Sequence, residues 1–509
     1  MSQKRLAAEV ATRKDQVMTL AIAFDNSYAR LPARFFATAR PDVAPAPRLL
    51  RLNAALAGEL GLDPQALASP DGIAMLSGGP LPSGARPIAL AYAGHQFGHF
   101  VPDLGDGRAA LIGEVIDRQG RHRDLQLKGS GRTVFSRRGD GKAALGPVLR
   151  EYIVSEAMAA LGLPTTRTLA AVATGEAVLR DQPLPGAVLT RVALSHVRVG
   201  TFQYFAHRGD VDGLRLLADH VIDRLYPEVA SAPNRYAALY AAVAERQARL
   251  VAGWLGVGFI HGVMNTDNMA VSGETIDYGP CAFMDDYDPA RVLSSIDHQG
   301  RYAYGNQPQI AQWNLARLAE CLLPLIDADH DSAVRTAVET LSAFATSFEA
   351  AYFGGLGRKL GLADGNGADR PLVVAVLKAL AAGKADFTLA FRRLADLADG
   401  TIDDDRWLAL FARQDEARAL LPEWRQRLAA TGQAPAAIGR ALRAANPILI
   451  PRNHQIEAVI AAAVEWDDFR PFHRLADALA TPFDETPATA DLALPPRPEE
   501  RVTATFCGT

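Results

Sequence analysis

Residues His261-Gly-Val-Met-Asn-Thr-Asp-Asn268 are the most informative stretch of the chain; a helical pattern precedes them, and a short apolar run after them closes in Ile276-Asp-Tyr-Gly279. Taken singly, Asn268 and Asp277 read as residues that cap and turn two loops. Their surroundings decide whether they do more. Upstream, short runs at 88–93, 108–116, 124–128, 169–173 and 187–192 are separated by Gly, Asp and Pro, the pattern of a mostly antiparallel sheet. One helix interrupts it at 143–161, with Leu145, Leu149, Tyr152, Ile153 and Ala157 on its apolar side. A further amphipathic helix is expected at 48–61, ending at Gly61. After about residue 210 helical periodicity dominates, at 213–225, 234–255, 311–323, 333–353, 372–382, 387–397, 406–430, 436–445 and 455–480. The expected fold class is α+β: a small sheet-rich lobe followed by a larger helical one.

The chain has 509 residues, enough for a sizeable core in more than one unit. Its 53 Lys+Arg against 57 Asp+Glu leave a net charge of −4, which argues against a strongly basic nucleic-acid binder. Cys281, Cys321 and Cys507 lie far apart without a CxxC, so neither a disulfide-stapled secreted module nor a structural zinc site is supported. Lys4, Arg5, Arg13 and Lys14 precede an apolar run at 17–24 that is too short for a signal-peptide core. The longest later apolar stretch, 250–260, is broken by glycines and falls short of the roughly 18–20 residues that span a bilayer. A cytoplasmic, non-membrane protein is expected. Residues 481–509, with five prolines, are expected to form an extended or flexible tail.

The spacing of His261 and Asn268 matches the catalytic loop of protein kinases, His-Arg-Asp-x-x-x-x-Asn, and Asp277 falls where their metal-binding aspartate follows. Aminoglycoside phosphotransferases open this loop with His-Gly-Asp, closer still to His261-Gly262. The base expected two residues after the histidine is Val263, which cannot accept a proton. Lys128 ends a strand and Glu151 lies in the one helix of the sheet lobe, the types and places of the kinase lysine and glutamate. Glu156 is a rival, but positions i and i+5 point about 140° apart on a helix, so both cannot face one cleft. Gly105-Asp-Gly107-Arg108 enters a strand where a glycine-rich loop would lie, although Ala110 replaces the third glycine. The run 128–142 superficially suggests a P-loop, but Ser136 and Ala143 break that pattern. It still sets Arg132, Arg137, Arg138 and Lys142 beside Lys128, and Arg191 and Arg198 follow; arginine's planar fork suits phosphate oxygens. His95 and His99, without an intervening Glu, read as turn or packing residues rather than metal ligands.

Together, Gly105-Asp-Gly-Arg108, Leu127-Lys-Gly-Ser-Gly-Arg132, Arg150-Glu-Tyr152, His261 to Asn268 and Ile276-Asp-Tyr-Gly-Pro280 resemble the selenoprotein O family. Phe24-Asp-Asn-Ser-Tyr28 and Asn446-Pro-Ile-Leu-Ile-Pro-Arg-Asn453 extend the similarity over nearly the whole chain. The resemblance implies a bilobal protein-kinase-like fold: an N-terminal extension at 1–84, an N-lobe at 85–205, a helical C-lobe at 206–480 and the tail. It implies a protein adenylyltransferase that binds ATP in reversed orientation and transfers AMP to Ser, Thr or Tyr hydroxyls of protein substrates, including itself. Lys128, Arg191 and Arg198 would then hold the phosphates, with Gly105, Gly107, Arg108, Asp140, Gly141 and Asp277 completing the nucleotide site. Glu151 would orient Lys128. Asn268 and Asp277 would bind Mg²⁺, with Mn²⁺ as the alternative, and Asp267 would accept the proton. The family often carries selenocysteine or cysteine near the C-terminus, so a redox pair of Cys281 with Cys507 is a further expectation.

The residues alone leave two other functions open. One is a phosphotransferase acting on protein or a small molecule, which the His-Gly loop favours and Val263 opposes. The other is a nucleotide-binding pseudokinase scaffold without transfer. No nucleic-acid or membrane partner is expected, and the sequence leaves the oligomeric state undetermined.

Overall fold

The computed structural model describes residues 20–362 and 367–506. Ten strands lie in the first part of the chain: β1 (Phe36–Thr38), β2 (Arg48–Leu52), β3 (Ile88–Leu90), β4 (Gly94–Gln96), β5 (His99–Val101), β6 (Ala109–Ile116), β7 (His122–Lys128), β8 (Ala143–Ala144), β9 (Arg167–Leu179) and β10 (Pro183–Ala193). The main sheet runs in the order β1-β3-β6-β7-β10-β9-β2, with β8 paired to β10, while β4 and β5 form a separate hairpin. Every pairing in the main sheet is antiparallel, as the short runs predict. Its central strands are apolar on both faces: Leu111 and Leu189 join the core on one side, and Ile112, Val115, Leu125, Leu127, Val188 and Val192 join another. That second face is covered by short helices between 54 and 76, through Leu56, Leu60, Leu67, Met75 and Leu76.

The helix expected over 48–61 is corrected. Residues 48–52 form β2 against β9, and only Ala54–Glu59 are helical, opened by Asn53, whose side chain accepts from Leu56 N–H at 3.0 Å. Leu49, Leu50 and Leu52 contact cores on both sides of the sheet, so their spacing imitates a helical stripe.

The other face of the sheet receives α1 (Leu145–Ala160), whose Leu145, Leu149, Tyr152, Ile153 and Ala157 are buried as the periodicity requires. From Val199 onward the chain is mainly helical, with α2 (Val199–His207), α3 (Val211–Leu225), α4 (Arg235–Gly256), α5 (Gln307–Ile326) and α6 (His330–Lys359) nearest the site and further helices up to Leu479. Two expected helices are each divided. Residues 387–397 become Phe387–Arg392 and Leu394–Ala398, and 406–430 become Asp404–Leu408 and Asp415–Ala430, while the short helices expected within 455–480 are Asn453–Trp466 and Arg470–Leu479, parted where Asp467 turns left-handed.

The C-terminal segment departs from the expectation of a flexible tail. Among its described residues, Pro487–Ala493 and Pro498–Glu500 form 3₁₀ turns, Leu492 and Ala493 are buried, and the Ala493 carbonyl accepts from Arg452 Nε at 3.1 Å. Thr505 is fully buried; its N–H donates to Leu293 O and its hydroxyl to Pro280 O, both at 2.6 Å. Proline-rich composition reports a lack of regular structure, not a lack of docking. Among the described residues no helix is long and apolar enough to cross a membrane.

Candidate active site

Sheet register assembles the first part of the site. Lys128 at the end of β7 lies opposite Ala109 on β6 and Leu189 on β10, and Arg191 on β10 lies opposite Gln126 on β7. Alternation along a strand then puts Gln126, Lys128 and Arg191 on the face that α1 crosses. Glu151 of α1 arrives there: it accepts from Lys128 Nζ at 2.6 Å and from Arg191 Nε at 2.9 Å. Arg191 also donates to Gln126 Oε1 at 3.3 Å. Glu156 points elsewhere, accepting from Arg167 Nε at 3.0 Å and Asn53 Nδ2 at 2.7 Å, so the helical angle separates the two glutamates as expected.

The two loops supply the rest. Asp277 has φ +64, a left-handed turn conformation, and brings its carboxylate to Lys128 (3.0 Å), Arg191 (2.7 Å) and Arg198 (3.5 Å). Burial by itself would raise the Asp277 pKa, but Arg191, Lys128 and Arg198 outweigh it and hold the group well below the ordinary carboxylate range. Burial likewise opposes ionisation of Glu151, and Arg191 with Lys128 keep it below its usual value. Arg198, just before α2, lies 4.5 Å above the Tyr92 ring and donates to the Asp267 carbonyl at 3.1 Å.

His261 is buried and braces the loops, its Nε2 at 2.9 Å from the carbonyl of Ile276 and its ring against Trp254. Asn268 Nδ2 donates to Val263 O at 3.0 Å. Asp267 is 7% exposed; burial pushes its carboxyl up to about 6, against the pull of Arg198. Gln96 donates to its Oδ2 at 3.2 Å, while Oδ1 is buried without a hydrogen-bond partner.

These groups border one cleft of about 350 Å³, lined by Gly107, Arg108, Lys128, Glu151, Arg191, Arg198, Asp267, Asn268 and Asp277 among others. Other expected residues stand apart from that lining. Gly105 packs beneath the Phe135 ring, where a Cβ would approach to 2.2 Å, and Gly141 abuts the Gly131 carbonyl. Asp140 is paired with Arg180 at 2.8 Å. Lys142 is paired with Glu176, and Arg132 donates to the Arg137 carbonyl.

Lining residues that the sequence did not single out include Tyr92, Gln96, Phe97 and the buried Asp106. Asp106 was visible inside the Gly105-Asp-Gly107 motif; the other three carry no local signal. Cys281 is buried, and burial pushes its thiol up to about 12. Its expected partner Cys507 lies outside the described residues.

Three cations, Lys128, Arg191 and Arg198, held by the carboxylates of Glu151 and Asp277 at the wall of one cleft form a site with the charge to accept an anionic group. The family described as protein adenylyltransferase SelO matches residues 18–480. Relatives named protein nucleotidyltransferase YdiU are similar over almost the full length. That of Bradyrhizobium sp. (strain ORS 278) is 62% identical over 492 residues, 97% of this chain and 100% of the relative. Those of Rhodopseudomonas palustris (strain BisB5) and Rhizobium rhizogenes (strain K84) are 61% and 60% identical, over 97% and 96% of this chain and 100% and 97% of their own. The chain belongs to the protein adenylyltransferase SelO family and is a nucleotidyltransferase.

Proposed function

We propose that the enzyme transfers AMP from ATP to the hydroxyls of Ser, Thr or Tyr side chains in other proteins and in itself. The observation that carries this reading is the convergence of Lys128, Arg191 and Arg198 on Asp277, while Val263 occupies the position of an ordinary kinase base. The sheet and helical parts are read as the two lobes of a kinase-like fold with the nucleotide between them. The cations take its phosphates, with Gly107 and Arg108 in the wall of its site. Gly105, Asp140 and Gly141 shape the loops behind. Glu151 fixes Lys128 so that its ammonium stays on the nucleotide.

Asp267 accepts the proton of the acceptor hydroxyl. The hydroxyl oxygen bonds to the α-phosphorus, the bond from that phosphorus to the bridging oxygen breaks, and pyrophosphate leaves with the electron pair. A carboxyl at about 6 is basic enough to take the proton and is largely ionised at neutral pH.

The donor set fits Mg²⁺ or Mn²⁺. Asn268 spends Nδ2 on Val263 and has Oδ1 left to offer, Asp277 is held ionised, and such ions need only one or two protein oxygens beside those of phosphate. When bound, the ion would neutralise charge on the phosphates. The test is incubation of the purified protein with ATP labelled at the α-phosphate or at the γ-phosphate. AMP transfer predicts protein-bound label from the α position only; γ label would mean phosphoryl transfer, and neither label would overturn the reading.

A further inference from the structure

A cationic and aromatic surface adjoins the cleft and takes no part in the roles assigned so far. The β4–β5 hairpin roofs residues 265–267: His95 N–H donates to Thr266 Oγ1 at 2.7 Å, Gln96 to Asp267, and Phe97 N–H to Asn265 Oδ1 at 3.0 Å. Phe97 holds φ +51, a strained conformation for an aromatic residue, and this fastening maintains it. Its ring lines the cleft and meets the Tyr302 ring at 5.2 Å.

Beyond Tyr302 lies Arg301, its guanidinium 5.7 Å from that ring and 4.9 Å from the half-buried Trp313, which also carries Arg317 at 4.9 Å and His95 edge-on at 5.2 Å. Arg301 forms no ion pair among the described residues, and its buried Nε has no hydrogen-bond partner. Asp297 does not serve it, because its oxygens accept from the backbone N–H groups of Arg301 and Tyr302 at 2.9 and 2.7 Å. Arg317 is already neutralised by the exposed Glu320 at 2.7 Å.

We propose that this surface binds an Asp or Glu side chain of the acceptor polypeptide, with Arg301 as the recognising group; the proposal rests on the protein-acceptor reading above. Proximity to the Trp313 ring at 4.9 Å and the Tyr302 ring at 5.7 Å restrains the guanidinium in advance, so its fork can meet a carboxylate with less loss of freedom. A chain of contacts links Arg301 to the cleft: its guanidinium lies by the Tyr302 ring, which meets the cleft-lining Phe97.

The experiment uses the full chain and two fluorescein-labelled peptides, each with one tyrosine, flanked in one by glutamates and in the other by lysines. Fluorescence anisotropy without ATP should show the glutamate peptide bound at least about tenfold more tightly. Arg301→Gln should remove the preference and Arg301→Glu should reverse it. With α-labelled ATP, Arg301→Gln should raise KM for the glutamate peptide far more than it lowers kcat. Equal binding of both peptides by the wild type, or equal weakening of both by the Arg301 variants, would overturn the dock. So would an oligothymidylate that displaces the peptide and depends more strongly on Arg301, which would mark a nucleic-acid phosphate site. Charge-selective binding without label on any protein would instead overturn the transfer reading, and transfer without charge preference would leave that reading intact.

Discussion

Arg191 and Asp277 are 86 positions apart, yet Arg191 Nη2 donates to Asp277 Oδ1 at 2.7 Å. The same guanidinium holds Glu151 and is only 1% exposed, so it cannot swing into solvent when its partners change. Asp277 is thus the joint at which three cations meet.

Removing that joint leaves Lys128 and Arg191 with Glu151, and Arg198 with Asp106 at 3.8 Å, as their remaining anions. Asp277→Ala is expected to lower kcat at least about 100-fold and to cost about 3 kcal/mol of stability, the scale for breaking a buried pair from one side. Urea unfolding beside the α-label assay checks both. Wild-type turnover would contradict the site assignment.

The two glutamates of α1 should behave differently. Glu151→Gln frees Lys128 and is expected to raise KM for ATP by about tenfold or more, whereas Glu156→Gln, set among Arg167 and Asn53, should change stability while leaving KM within about threefold. Steady-state kinetics on the two variants separates them. Equal effects would mean that the pairing seen here is not the working one.

Gly94 tests Asp267 without touching it. A Cβ at this position would fall 2.5 Å from Asp267 Oδ1, so Gly94→Ala must displace the carboxylate. A shift near 1 Å at a reacting group can cost about 100-fold. The expected result is a fall in kcat of about that size with nearly unchanged ATP binding, measured by kinetics and by calorimetric titration with ATP.

Lys359 carries a pH signature in stability. Its ammonium end lies 4.9 Å from the Phe391 ring, and burial pushes its pKa down to about 7. Between about 7 and the unfolded value near 10.5, the unfolded chain binds a proton that the folded chain has lost, so stability rises with pH there, by at most about 1.4 kcal/mol per pH unit. Below that window the amine is charged in both states and the full burial penalty remains. Lys359→Met should therefore stabilise the protein most at pH 6 and progressively less toward pH 10, a trend that thermal unfolding across pH would reveal. A constant difference would place the ammonium in water.

Much of the architecture is local and can be read locally. Short apolar runs bounded by Gly, Asp and Pro locate β6, β7, β9 and β10, an apolar stripe locates α1, and residue type with position selects Lys128, Glu151, Asn268 and Asp277. In β2, Leu50 joins one core while the half-buried Leu49 and Leu52 pack against another, so the leucine spacing imitates a helical stripe, and the helix expected there is only partly present.

By itself the amino-acid order determined which side chains carry positive charge near the two loops, that Val263 cannot act as a base, and that the chain carries its family's motifs throughout. Only the tertiary structure decided which of these meet. Antiparallel register put Arg191 beside Lys128, and the left-handed turn at Asp277 aimed its carboxylate at both. The same packing sent Asp140 to Arg180, pinned Thr505 to Pro280, and folded the β4–β5 hairpin over Asp267. Charge and hydrophobicity are properties of residues, but an ion pair or a roof depends on distances between segments far apart in sequence, and only packing of the whole chain sets those.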